Sequence, residues 1–363
     1  MGKKLIVLFL TLSVLAVLSG GYVVGGMNAY SNFQKTKQAT TEHCGGQAPV
    51  YICVQAPTAI FSAFYPAYVS TQNTLFAVKY SSSTPLTLVI SLGIVNFTQT
   101  FSQTVNATAA TQAIQVIPPL LNTSTLRQWT HDTTTTLHVQ VTDTHNHPYY
   151  VSDSHILLYS RWLMQWTRAN RLLIGAWVTP DDPTVKALVK KSIQYLSTEP
   201  PTPPPAMVGY VDASPQQVVD QVDAIYDALR LAYHIHYVQA SVPYNGLSDT
   251  TVATEQIKLP FEVLQQQSGM CIELTLVLAS AVESIGLHSE IVITPGHAFL
   301  GVAVTPDGKH FEYWDAAEVN NAVAADSDNI DTDNFYLQNA TKHTILDTIL
   351  ISDARAAGIE AMI

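Results

Sequence analysis

A thiol, an imidazole and a carboxylate stand in this 363-residue chain in settings that suit nucleophilic acyl chemistry. Cys271 follows Gly269 and Met270 in GMCIELTLVLASAVESIGL (269–287), at the head of an almost wholly apolar segment. His297 comes directly after the Pro295-Gly296 turn and before small Ala298, and Asp315 closes the run HFEYWD. A lone cysteine is usually a small core hydrophobe. A cysteine paired with a histidine whose tautomer a carboxylate fixes is an activated nucleophile, because the imidazole takes the thiol proton.

Three elements must bring these groups together. Leu274, Leu278, Ala281, Val282 and Ile285 predict a central helix that opens at Cys271 and stops at Gly286. Unpaired N–H groups and the dipole at a helix start favour the thiolate, the nucleophilic form. SEIVIT, HAFLGVAV and KHFEYWDA read as successive antiparallel strands separated by Pro-Gly and Pro-Asp-Gly turns. An ungapped hairpin turning at Asp307-Gly308 sets His297 opposite Glu318, so Asp315 reaches His297 only through a bulge, and Glu318 is the alternative third member. The Cys271 backbone N–H and an upstream side-chain donor would hold the oxyanion; Gln256 is a candidate, with Gln265, Gln266 and Gln267 competing.

These residues carry a family resemblance. GMCIELTLVLASAVESIGL, EIVITPGHAFLGVAV and FEYWDAAEV together resemble the core of the transglutaminase-like superfamily, a branch of the papain-like fold. That family is marked by Gly-x-Cys opening a helix, Gly-His-Ala on a strand and an Asp on the next, and Cys271, His297 and Asp315 match position by position. The resemblance spans residues 214 to 320. It implies a Cys-His-Asp thiol hydrolase or acyltransferase that works without a cofactor or metal.

The rest of the chain sets the context. Lys3 and Lys4 precede an apolar run from Leu5 to Met27, long enough to span a bilayer, so residues 1–27 are expected to be a signal anchor with the remainder extracytoplasmic. Residues 28–47 read as a polar tether, within which Cys44 is expected to pair with Cys53. Short alternating segments between 48 and 160, such as TLHVQVTD, predict an all-β, immunoglobulin-like sandwich. Residues 161–213 read as a helical connector ending in the Pro-rich TEPPTPPP, and 214–363 as the transglutaminase-like domain. The expected class is therefore α+β, a Cys-bearing helix packed on an antiparallel sheet behind an all-β unit. ADSDNIDTDNF (325–335) reads as a solvated acidic loop, and His131, His138, His145, His147 and His155 lack the spacing of a metal site.

With 17 Lys and Arg against 28 Asp and Glu, no basic stripe exists to hold a nucleic acid. The expected partners are the membrane, through the N-terminal helix, and a protein or peptide substrate at the cell surface. The leading expectation is a membrane-anchored enzyme that cleaves or transfers an amide through a Cys271 thioester. The alternative is an inactive surface binding or structural protein that uses the sandwich for recognition.

Overall fold

The computed structural model describes residues 39–116, 118–122, 125–196, 206–239, 253–320 and 323–363. The anchor expected over 1–27, the start of the tether and the Pro-rich stretch at 198–205 lie outside the described residues. The fold is mixed α/β with several antiparallel sheets.

Alternation builds the first half. In β8 (Thr133–Asp143) Leu137, Val139 and Val141 are buried, whereas His138 faces out and bonds Asp153 across the ladder at 2.6 Å. β8 belongs to a five-stranded sheet ordered β3 (Ala59–Phe61), β9 (Pro148–Tyr159), β8, β5 (Leu86–Ile94), β6 (Phe101–Ala107), antiparallel except for the parallel β3–β9 pair. A second sheet orders β1 (Thr40–Gly45), β2 (Val50–Pro57), β4 (Phe76–Ser82) and β7 (Gln112–Val116). β1 corrects the expected tether. Its residues are exposed or half-exposed, so the strand has no inward apolar alternation to betray it. Cys44 sits directly opposite Cys53 in the β1–β2 ladder, and the two are disulfide-bonded, as expected. Two short helices, α1 (Tyr65–Ser70) and α2 (Thr125–Gln128), also interrupt this unit, which is therefore not wholly β.

The connector departs from expectation too. β10 (Leu163–Trp166) is a strand, paired antiparallel with the segment Ala253–Gln256. In order, the remaining short strands are β11 (His236–Tyr237), β12 (Ala253–Gln256) and β13 (Ser268–Gly269). The helices follow their caps. α3 (Pro183–Ser192) starts where Asp182 accepts the Thr184 N–H at 2.7 Å, and α4 (Pro215–Asp227) where Ser214 and Gln217 cap one another. Next come α5 (Pro260–Gln266) and α6 (Cys271–Ser284). The buried Arg161 guanidinium grips Glu262 of α5 with two bonds of 2.7 and 2.8 Å, tying the β-rich half to the helices.

The second half centres on a sheet ordered β16 (Phe311–Trp314), β15 (His297–Ala303), β14 (Ser289–Thr294) and β17 (Asp347–Leu350), antiparallel throughout. α6 packs against β14 and β15, where Ile291, Ile293, Leu300 and Val302 join the main core. The opposite face collects Val292, Phe299 and Tyr313 under Tyr336 of α7 (Ala325–Thr341). α8 (Ile351–Ala356) packs beside β17.

Four largely buried carboxyls in this half are held by neutral donors rather than by cations. The Trp314 indole donates to Asp223, the Trp166 indole to Glu255, Tyr313 to Glu290 and the Asp315 backbone N–H to Asp328. Burial pushes Asp223, Glu255 and Glu290 up to about 7 and Asp328 up to about 8, against the pull of those hydrogen bonds. Unfolded carboxyls ionise near pH 4, so the folded state holds extra protons above that value. The stability these groups contribute is complete below about pH 4 and is lost as pH rises through 7 to 8. Glu262 opposes this at the acid end: burial raises it, but Arg161 and the Leu259 N–H hold it below the usual range, so its contribution is lost on acidification. Thermal unfolding should therefore give the highest Tm near pH 4 to 5. A fall of about 5 °C or more is expected by pH 9, and a Tm that is flat or rises from pH 6 to 9 would contradict this account.

Candidate active site

The start of α6 is built from its neighbours inward. Gly269 leaves no room for a side chain: a Cβ there would meet Leu274 Cδ2 at 2.9 Å and Val263 Cγ1 at 3.1 Å. Its carbonyl accepts the Val238 N–H at 2.8 Å, continuing the parallel β11–β13 pairing. Glu273, buried at the third helical position, reaches back to the Met270 N–H at 3.0 Å and also takes the Lys258 N–H at 2.8 Å. The N–H of Cys271, in the first turn, has no intrahelical acceptor and is free to serve an oxyanion. Thr275, one turn on, donates toward both the Cys271 carbonyl (2.8 Å) and the Ala298 carbonyl (3.2 Å). That hydroxyl ties the cysteine turn to the residue beside His297.

His297 opens β15 after Gly296, whose φ of +73° makes the tight turn. Its Nε2 bonds Asp315 Oδ2 at 2.5 Å, and the Cys271 thiol stands in the same cleft, close enough to favour the protonated ring. The third partner is thus Asp315 and not Glu318, and no bulge is needed. The turn is a five-residue loop, Thr305–Lys309, closed by Val304 N–H to His310 C=O at 2.8 Å, with Gly308 at φ +66°. The resulting register pairs Leu300 with Trp314. Continued by one step it puts Asp315 opposite Phe299, two residues from His297 and on the same face, within the diagonal reach of side chains. The sequence arithmetic missed by one residue, and one residue inverts the face. Burial works against a charged His297, but its bond to Asp315 and the influence of Asp315 and Cys271 as charges outweigh it and push the imidazole up to about 10. The ring packs against Phe299 and Phe335, which also touch one another.

The expected acidic loop is instead the first half of α7. Its buried face is polar, comprising Asp328, Asn329 and Thr332. β16 is an edge strand, and these side chains satisfy its open backbone groups. Asp333 accepts the Tyr313 N–H (2.8 Å), Asp328 the Asp315 N–H (2.8 Å), and Asn329 donates to the Tyr313 carbonyl (3.1 Å). With the Trp314 indole fixed on Asp223 of α4, the residue before Asp315 is held as well. The aspartates read as a solvated loop are a helix capping a strand edge.

Two clefts meet at Tyr237 and His297. One holds Cys271 with Trp166, Gln239, Glu255, Ile272, Ile293, Gly296 and Ala298. The other is lined by Asp315, Ala317, Glu318, Asp328, Asp331 and Phe335. None of the four glutamines considered from sequence lines the Cys271 cleft. Gln256, Gln265, Gln266 and Gln267 are exposed, and Gln267 caps α5 while donating to the Tyr233 carbonyl. Gln239 takes that place, one residue beyond the Val238–Gly269 bond. Only the alternation in HYVQ hinted at it. Comparison with protein-family models, with curated proteins and with solved structures gave no match.

Asp328→Ala should strand the Asp315 N–H and cost about 1–3 kcal/mol in urea unfolding. The same change should lower the His297 titration midpoint seen by NMR, because a looser Asp315 stabilises the imidazolium less. Asp328→Asn, which keeps an acceptor oxygen, should restore most of both; a His297 midpoint unchanged in Asp328→Ala would show that the clamp does not position Asp315.

Proposed function

We propose that this chain is an extracytoplasmic cysteine enzyme of the transglutaminase-like kind, cleaving or transferring an amide through a thioester on Cys271. The observation that carries the reading is His297, hydrogen-bonded to Asp315 through Nε2 and sharing a cleft with the Cys271 thiol, which favours the protonated ring. The order of Cys on a helix, His on a strand and Asp at the end of the next strand also supports a papain-like core, with the β-rich half as an immunoglobulin-like recognition unit. In the proposed reaction the Cys271 sulfur attacks the carbonyl carbon while its proton resides on His297. The tetrahedral oxyanion faces the Cys271 N–H and the Gln239 amide. Collapse expels the amine, which takes the proton from His297, and leaves the thioester. Water or a second amine then attacks the thioester, giving up its proton to His297, and the regenerated thiol recovers that proton. The Cys44–Cys53 bond supports an oxidising compartment, consistent with the apolar run at 5–27 serving as an anchor and with protein or peptide substrates at the cell surface. Among the described residues no helix is long and apolar enough to cross a membrane, and that run lies outside them.

Iodoacetamide should label Cys271 of the folded protein at about pH 6 faster than it labels a model thiol. His297→Ala should slow labelling strongly and Asp315→Ala less so, with both domains still folded by circular dichroism; Glu318→Ala should leave the rate unchanged. Labelling only after denaturation would place the thiol in an inert core and move the binding-protein alternative ahead. N-terminal sequencing of the membrane-extracted protein tests the anchor separately. It should read through Lys3 and Lys4, and a mature terminus beyond about residue 26 would exclude an uncleaved anchor.

A further inference from the structure

The cleft that holds Cys271 also contains an acid that the reaction above does not use. β12 exposes Thr254 and Gln256 and turns Glu255 inward between them. Glu255 pairs in register with Met164, which makes it a diagonal neighbour of Trp166, and the buried Trp166 indole donates to Oε2 at 2.8 Å. Among the described residues Oε1 accepts no hydrogen bond, and no cation stands against the carboxylate. Lys258, three residues on in sequence, is committed to the Ser268 carbonyl at 2.8 Å and to Glu273 at 3.4 Å. The walls around Glu255 are Trp166, Ile272, Ile293 and Ala298, with Tyr237, Gln239, Cys271 and His297 at the polar side. A carboxylate set into such a wall without a counter-charge is costly. A neutral amide would serve the indole equally well, so the acid is unexplained by the fold alone.

We infer that Glu255 is a specificity-determining residue, which binds a positively charged ammonium or guanidinium group of the substrate beside the carbonyl presented to Cys271. The inference rests on the reading of Cys271 as a ligand-facing thiol. An incoming cation supplies the missing donor to Oε1 and the missing counter-charge together. The apolar walls would take the aliphatic stem of a lysine or arginine side chain. Burial pushes the Glu255 carboxyl up to about 7, with the Glu273 charge adding to it and the Trp166 bond opposing it. The acid is therefore ionised, and the selection strongest, above neutrality.

Methanethiosulfonate reagents carrying 2-aminoethyl, 2-sulfonatoethyl or methyl groups test this on the full chain. Each modifies Cys271 directly, and normalising to the methyl reagent removes changes in the thiol itself. In the wild type the aminoethyl-to-sulfonatoethyl rate ratio should rise about tenfold between about pH 6 and 8.5. Glu255→Gln, which still accepts from Trp166, should remove most of that rise, leaving only the smaller part due to Asp328 of the adjoining cleft, raised to about 8, over the baseline preference set by Glu318 and Asp331. Trp166→Phe, which removes the donor that lowers the Glu255 midpoint, should shift the wild-type rise to higher pH. A ratio that does not change with pH in the wild type, or one that changes equally in Glu255→Gln, would overturn the inference while leaving the nucleophile reading intact. Failure of all three reagents to modify the folded protein would overturn both.

Discussion

Everything in the second half is arranged around one constraint: α6 is buried from Ile272 to Val282 and reaches a cleft only at its start, through Cys271 and Ile272. A helix so enclosed needs neighbours on all sides, and it has them in α3, α4, α5, β14 and β15. The enclosure gives the helix start its rigidity. Glu273 and Thr275 then fix the first turn, one to the segment before α5 and the other to β15. A thiol placed this way has little freedom to retreat, so its position relative to His297 is set by the core rather than by the loop that precedes it.

The second support is made of carboxyl groups. α7 presents Asp328 and Asp333 to the free edge of β16, and Asp223 of α4 holds the Trp314 side chain, so a helix covers an edge that would otherwise stand open. A helix can do this because residues 328, 329, 332 and 333 share a face at helical spacing. The arrangement surrounds Asp315 with acids that burial keeps hard to ionise, most clearly Asp328, raised to about 8. The neighbourhood of the triad-like group is thereby less anionic at neutral pH than its composition implies, and Asp315 can act on His297 without a row of competing charges.

Sequence read some of this and missed the rest for physical reasons. Alternation found β8 and its neighbours; Gly286 marked the end of α6 where the structure has it; Cys271, His297 and Asp315 do converge. α7 escaped because its buried face is polar and so carries no apolar stripe. β1 escaped because neither of its faces is buried, and β10 because its partner β12 is distant in sequence. Gln239 and Glu255 enter the cleft through pairings that no local pattern encodes. The His297–Asp315 relation depended on loop length, which turn residues alone leave ambiguous by one.

That ambiguity has an evolutionary side. Surface hairpin loops usually absorb insertions and deletions freely. The loop Thr305–Lys309 has that freedom only while Val304 and His310 stay paired, since re-pairing the strands one residue out of step would carry Asp315 to the opposite face of the sheet from His297. Its residue types can drift, because Asp307 and Lys309 are exposed and touch only the turn itself. Descendants of this chain that keep the chemistry should therefore vary the loop freely but preserve the strand pairing on either side of it.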